Sequence, residues 1–144
     1  MKFWFNAALA VDGIIEIDGK LVLIKRGRAP FKGSYAFPGG FVDPKESVGE
    51  AVVREVREET GLRVKPLALI GVYSKPGRDP RGKTVSPVFA CKRVSGKLKA
   101  GDDARHVELV PLARAKRARL AFDHALALKH YLKWRARGKA GFWG

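Results

Sequence analysis

Residues 39–62, GGFVDPKESVGEAVVREVREETGL, constrain the fold more than any other stretch, because they specify a helix with two incompatible faces. Successive helical residues turn by about 100°. Val48, Ala51, Val52 and Val56 therefore share one side, while Glu55, Glu58 and Glu59, related by i,i+3 and i,i+4, share another. The apolar side needs a core to cover it. The acidic side is a cost, because like charges at i,i+4 destabilise an isolated helix by roughly 0.2–0.5 kcal/mol per pair. The pattern predicts a helix from about Ser47 to Thr60, stopped by Gly61 as a left-handed C-cap. Two starts fit: Asp43 as cap with Pro44 at the first helical position and Glu46 three on, or Ser47 with Glu50 three on.

This acid lies in a basic chain, whose 144 residues carry a formal net charge of +15. From Gly40 to Leu62, six acids (Asp43, Glu46, Glu50, Glu55, Glu58, Glu59) oppose three bases (Lys45, Arg54, Arg57), a local −3 that leaves +18 for the remainder. An excess of that size implies polyanionic partners: nucleic acid, an anionic membrane surface or phosphorylated small molecules. The clustered carboxylates have two readings. One is a solvated helix face, with Arg54 pairing to Glu50 and Glu58. The other is a site for a hard divalent cation such as Mg²⁺, which favours oxygen ligands and binds jointly to carboxylates and substrate phosphates.

The length and the 46% hydrophobic content predict one globular domain, residues 1–144, with a core that needs no staples. No run approaches the roughly 20 apolar residues that span a bilayer, and the start, MKFWFNAALAVDG, has too short an apolar stretch for a leader and continues directly into strand-like sequence, so a soluble cytoplasmic protein is expected. Cys91 is alone, and His106, His124 and His130 are too widely spaced for a zinc site. The chain has no Gln and a single Asn (Asn6), an avoidance of thermolabile residues that points to a thermophilic source.

Segments 3–11, 14–17 and 20–26 read as strands, with DGK (18–20) turning a hairpin. Residues 30–40 read as a loop with a short strand at its centre; 64–74 and 84–94 read as strands joined by the polar loop 75–83. Residues 120–137 carry a helical stripe of Leu120, Ala121, Ala125, Leu128, Leu132 and Trp134, leading to a loosely held basic tail in a C-terminal region of about 120–144. The alternation of strands and helices predicts an α/β sandwich with a mixed sheet.

From Gly40 the acidic segment runs Gly, five residues, Glu46, seven residues, Arg54-Glu55-Val56, one residue, Glu58-Glu59, one residue, Gly61-Leu62, and it resembles the complete signature of the Nudix hydrolases. The resemblance implies a Nudix-type α/β/α sandwich with a mixed β-sheet. It also implies Mg²⁺-dependent hydrolysis, with Mn²⁺ as a substitute, of a nucleoside diphosphate linked to another moiety. By similarity, Glu55 and Glu59 are the principal metal ligands, and Glu58 is a further ligand or a base acting through water. The carbonyl of Gly39 supplies a backbone ligand, while Arg54 and Glu46 orient the carboxylates.

YSKPGRDPRGKTVS (73–86) is similar to a loop of the ADP-ribose pyrophosphatase branch, in which a proline about fifteen residues past the signature glycine is characteristic; Pro76 fits the count from Gly61. RGRAPFKGSYAFPGGFVD and LAFDHALAL look like the same branch, whereas Lys83 stands where a histidine is expected. The branch implies conversion of ADP-ribose to AMP and ribose 5-phosphate; a dinucleoside polyphosphate, NADH or an oxidised nucleoside triphosphate is the alternative substrate within the family. Turn chemistry is the alternative for Pro76, Gly77, Pro80 and Gly82. Arg78 and Arg81 either grip phosphate bidentately or are surface charge, and the same pair of readings holds for Arg26, Arg28 and Lys32. Tyr35 and Phe37 either stack on a base or sugar or fill the core. Asp102 and Asp103 either supply an extra catalytic carboxylate or cap a turn. Residues 112–144 carry nine bases and one acid, the motive for a rival reading as a nucleic-acid binder without turnover; a homodimer acting on a small nucleotide is favoured over it.

Overall fold

A computed structural model of the chain describes residues 7–99 and 106–143. β1 (Ala8–Ile17) turns through Asp18 and Gly19 into β2 (Lys20–Lys25). Ile17 pairs with Lys20, so the hairpin loop is two residues long, and both have positive φ, 50° and 75°, which suits Asp-Gly. β3 (Tyr35–Ala36) and β4 (Gly39–Phe41) follow, then α1 (Val48–Thr60). The long antiparallel pair β5 (Leu62–Tyr73) and β6 (Thr84–Gly96) comes next. β7 (Val107–Pro111), α2 (Leu112–Arg117), α3 (His124–Arg137) and β8 (Phe142–Trp143) complete the described order.

The sheet runs β3-β2-β1-β6-β5-β8, with β4 paired to β1 and β7 to β2. It is mixed, because β1 lies parallel to β6 and β5 parallel to β8. Both faces are covered, and side-chain alternation along β1 shows how. Val11 and Ile15 enter the cluster under α1 with Ala51, Val52, Val56 and Leu62. Ile14 faces the other way, into the cluster beneath α3 with Leu23, Ile70, Tyr73, Leu128 and Tyr131. On that same face Glu16 accepts hydrogen bonds from the Tyr131 hydroxyl (2.9 Å) and from Arg135 (2.8 Å), tying α3 to the sheet. The result is the α/β/α sandwich that the sequence predicts. Among the described residues no helix is long and apolar enough to cross a membrane.

Four details differ from the sequence reading. β1 is continuous through Asp12-Gly13, where a break is expected; a Cβ on Gly13 would come within 3.1 Å of Val56 and 3.2 Å of Val52, so the glycine is there to let α1 pack close. β7 and α2 occupy residues left unassigned. α3 starts at His124, not Leu120, because Phe122 takes a left-handed φ of 51°, and its covered stripe is His124, Ala127, Leu128 and Tyr131 while Ala125 is exposed. The tail is not loose throughout: Phe142 stacks on His130 with ring centroids 4.2 Å apart, and β8 pairs with Gly71 and Val72.

Candidate active site

Of the two possible helix starts, Ser47 is the cap. Its Oγ accepts the Glu50 N–H (3.1 Å) and the Glu50 carboxylate accepts the Ser47 N–H (3.0 Å), a complete capping box. Gly61 closes the helix at φ 84° with its N–H on the Arg57 carbonyl. With both ends fixed and Ala51, Val52 and Val56 buried, the acidic face points at β4 and the cleft beside it.

Arg54 organises that face. Its guanidinium donates to Glu46 (2.5 and 2.9 Å), Glu55 (2.9 Å), Glu58 (3.2 Å) and the Phe41 carbonyl (3.1 Å). Glu50 is engaged in the cap instead. The Arg54 hydrogen bonds, followed by the Asp43 N–H, hold Glu46 down at about 2, so it is a permanent anion clamping the arginine.

Glu55 and Glu59 have the opposite character. Burial raises the pKa of Glu55 against the pull of Arg54. Burial is also the largest influence on Glu59, whose carboxyl is pushed up to about 7; Glu55 and Asp12 add to the rise, and the Gly39 N–H, donated at 2.7 Å, opposes it. One guanidinium, that of Arg54, thus faces three carboxylates, Glu46, Glu55 and Glu58, with Glu59 and Asp12 beyond it.

Two glycines make the crowding possible. A Cβ on Gly40 would lie 2.5 Å from the Glu55 carboxylate, and one on Gly39 would lie 2.0 Å from the Val11 carbonyl and 2.3 Å from Asp12 Oδ1. The bare backbone of β4 slides between β1 and α1 where any side chain would displace a carboxylate.

Beyond Glu59 the site opens into a cleft lined by Asp12, Arg26, Phe37, Arg78, Arg81 and His124, among others. His124 Nδ1 accepts the Phe37 N–H at 3.1 Å, which leaves its proton on Nε2, 3.4 Å from Asp12. Asp123 binds Arg78 with both oxygens, at 2.6 and 2.9 Å. The cleft therefore gathers carboxylates (Asp12, Glu59, Asp79) and arginines (Arg26, Arg78, Arg81) in one place.

A model of the NUDIX domain matches residues 6–131 of this chain. The chain belongs to the NUDIX domain family. It is 52% identical over 134 residues to a protein of Methanocaldococcus jannaschii named ADP-ribose pyrophosphatase, covering 93% of this chain and 78% of that one. A NUDIX hydrolase from Nitrosomonas europaea superposes with a TM-score of 0.81 at 28% identity, covering 99% of this chain and 80% of the other. A NUDIX domain from Shewanella oneidensis, crystallised in complex with ADP ribose, superposes with a TM-score of 0.75 at 26% identity over 94% and 91% of the two chains.

NUDIX hydrolases generally need a divalent metal ion. Among the described residues no three carboxylate, histidine or cysteine side chains are already drawn together around a common point. Arg54 holds Glu55 and Glu58, and a backbone N–H holds Glu59. The donor set nevertheless fits a hard divalent ion: it is all oxygen, it carries surplus negative charge, and it is incomplete in the way that leaves positions for water and phosphate.

The structure brings Glu46, Arg54, Glu55, Glu58, Glu59 and Gly39 together and sets Arg81 in the adjoining cleft, whereas Phe37, 3% exposed, backs the cleft as a core residue. Other candidates lie elsewhere. Arg28 and Lys32 are exposed and do not line the cleft. Tyr35 is engaged on the far side of its short strand, donating to Glu108 (2.6 Å) and accepting from Arg114 (2.9 Å). Arg78 lines the cleft, but its side chain is 5% exposed and is spent on Asp123, Thr84 and Ser86, so it props the wall and has no fork left to offer. Asp102 and Asp103 lie outside the described residues. Asp12, Asp79, Phe122 and His124 join the site without a signal in their immediate neighbours, apart from the stretch LAFDHALAL that holds two of them.

Proposed function

We propose that this chain hydrolyses the diphosphate bridge of ADP-ribose, giving AMP and ribose 5-phosphate, with Mg²⁺ as its metal and Mn²⁺ as a working substitute. The observation that carries the reading is one cleft lined by both carboxylates and arginines beside the acidic face of α1, in a chain 52% identical to an ADP-ribose pyrophosphatase over 93% of its length. Such a cleft matches a polyanion that arrives with a cation.

Glu55 and Glu59, with Glu58 and the Gly39 carbonyl, would hold the ion. When bound, a divalent ion neutralises charge developing on the phosphoryl oxygens and lowers the pKa of water. The chain's own part is positioning. Arg54 fixes Glu55 and Glu58, and Glu46 fixes Arg54. Glu58, at 60% exposure the most open of the three, reaches water and takes its proton. Water oxygen bonds to one phosphorus, the bridging P–O bond breaks, and the bridging oxygen leaves with the other phosphate. Asp103 is a further candidate carboxylate, tested by D103N.

The deciding experiment is a panel of nucleoside diphosphate derivatives, dinucleoside polyphosphates and nucleoside triphosphates, with Mg²⁺, with Mn²⁺ and with EDTA, run in oxygen-18 water. AMP from ADP-ribose, abolished by EDTA, is expected. Faster cleavage of another compound with no AMP from ADP-ribose would overturn the substrate. A cytoplasmic homodimer completes the proposal. Exposed Leu67, Leu69 and Val94 on β5 and β6 supply apolar surface for the dimer, and sedimentation equilibrium tests it.

A further inference from the structure

The cleft uses only part of this chain's positive charge. Residues 112–144 carry nine bases and one acid, Asp123, whose two oxygens are both committed to Arg78. Within the same stretch Arg114 pairs with Glu108 and Arg135 with Glu16. Lys116, Arg117, Arg119 and Lys129 are exposed, and among the described residues none of them forms an ion pair.

These cations surround an apolar gap. Between α2 and α3 lies an open groove of about 240 Å³, walled by Ala115 and Ala118 on one side and by Ala125, Leu128 and Leu132 on the other. Lys116 of α2 and Lys129 of α3 border it. Positions 125, 128, 129 and 132 follow the i, i+3, i+4, i+7 spacing of a single helix face, so α3 presents this stripe as a unit. Alanine side chains are too short to close the gap.

The lining separates the occupants that a basic surface could take. Single-stranded nucleic acid stacks its bases on aromatic rings, but none lines the groove, and the described aromatics of this region are spent elsewhere: Tyr131 is 5% exposed, Trp134 packs on the core, and Phe142 stacks on His130. A membrane-bound helix pushes its apolar bulk outward, whereas here Leu128 is 3% exposed and the lysines stand out. A second copy meeting the groove with this same face would set like charge on like charge. The volume falls below the roughly 300–1,000 Å³ of small-molecule pockets. What fits is a segment with apolar side chains on one face and carboxylates flanking them, laid in the groove as a helix.

We propose that the α2–α3 groove is a docking site for an acidic amphipathic protein segment, whose apolar side chains enter between the alanines and whose carboxylates reach Lys116 and Lys129. Arg117 and Arg119 add to the attracting field. The groove shares no lining residue with the cleft, so this site is separate from hydrolysis and independent of which diphosphate is cleaved.

The test titrates the full chain against four probes. Two are fluorescein-labelled peptides with leucine at i, i+3, i+4 and i+7, one carrying glutamate at the other positions and one lysine; the others are labelled oligouridine RNA and phosphatidylcholine vesicles containing phosphatidylserine. Anisotropy follows the first three and cosedimentation the vesicles. The glutamate peptide should bind saturably and weaken as salt rises, while the lysine peptide does not bind. An exposed ion pair is worth about 1.4- to 5-fold in affinity. K116E/K129E, which removes two pairs and adds two repulsions, should therefore weaken the glutamate peptide by about 10-fold or more. A125L fills the groove from an exposed helical position and keeps every charge, and it should weaken the same peptide by a comparable factor. No saturable binding of the glutamate peptide, or binding that A125L leaves intact, would overturn the proposal. So would RNA or vesicles that bind more tightly than this peptide and are lost in K116E/K129E but kept in A125L, which would make the face a charge-only surface. Should K116E/K129E not melt cooperatively, A125L decides alone.

Discussion

Replacing Gly40 by alanine tests the site's central geometric claim. The glycine does not have a positive φ, so alanine can adopt its backbone conformation; what changes is space. The new Cβ would lie 2.5 Å from the Glu55 carboxylate, and ordinary contact begins near 3.4 Å, so the carboxylate must retreat by 3.4 − 2.5 = 0.9 Å. Glu55 cannot retreat alone, because Arg54 binds it at 2.9 Å together with Glu46 and Glu58. A misplacement of about 1 Å costs on the order of 10²-fold in rate, and overpacking of this kind costs about 1–3 kcal/mol in stability. Initial rates on ADP-ribose across a Mg²⁺ titration, beside a thermal melt, measure both. The expectation is a fall of about 100-fold in kcat at saturating Mg²⁺ with a cooperative melt retained. Turnover within threefold of the wild type, with the same Mg²⁺ dependence, would mean that the Glu55 carboxylate is not confined against Gly40, and the argument would fail.

Glu55→Gln and Glu59→Gln should each lower turnover by ~10² to 10⁴-fold while the fold persists, as judged by circular dichroism; near-native rates in both would remove the carboxylates from the chemistry. Asp123→Asn should destabilise the chain by about 3 kcal/mol, because it leaves the enclosed Arg78 without its counter-charge, and urea denaturation would register the loss. His130 is held below its ordinary pKa by burial first and by Lys133 and Lys129 next, while its Nδ1 shares a 2.7 Å hydrogen bond with the Tyr73 hydroxyl. The unfolded chain therefore binds a proton near pH 6.5 that the folded chain resists, so this contribution to stability falls as the pH drops below about 6.5. Urea midpoints at pH 7.5 and 5.5 should differ more for the wild type than for His130→Leu, and equal differences would refute the assignment.

The acidic helix was legible because everything that defines it is local: caps at Ser47 and Gly61, one apolar face and one acidic face within two dozen residues. The Asp18-Gly19 hairpin and the β5–β6 pair were legible for the same reason. The errors arose where distant packing overrides a local rule. Asp12-Gly13 looks like a turn, yet Gly13 makes room for Val52 and Val56, and Asp12 faces His124 from the far end of the sequence. Residues 120–123 count as helical by apolar spacing, but Asp123 is recruited by Arg78, 45 residues away, and Phe122 by two arginines. The partner of a surface-looking arginine has no local trace, so Arg78 and Arg26 were indistinguishable until the fold placed one in a two-oxygen grip on Asp123 and the other on the Pro30 carbonyl.

The period of two along β1 links folding to chemistry more tightly than either alone would require. Sliding that strand by one position would thrust Asp12 into the hydrocarbon beneath α1 and turn Val11 toward the cleft, so the misthreaded chain would lose its interior and its acid in the same step. Selection for a sound interior therefore proofreads the catalytic alignment, and folded but misregistered copies of this protein should be vanishingly scarce.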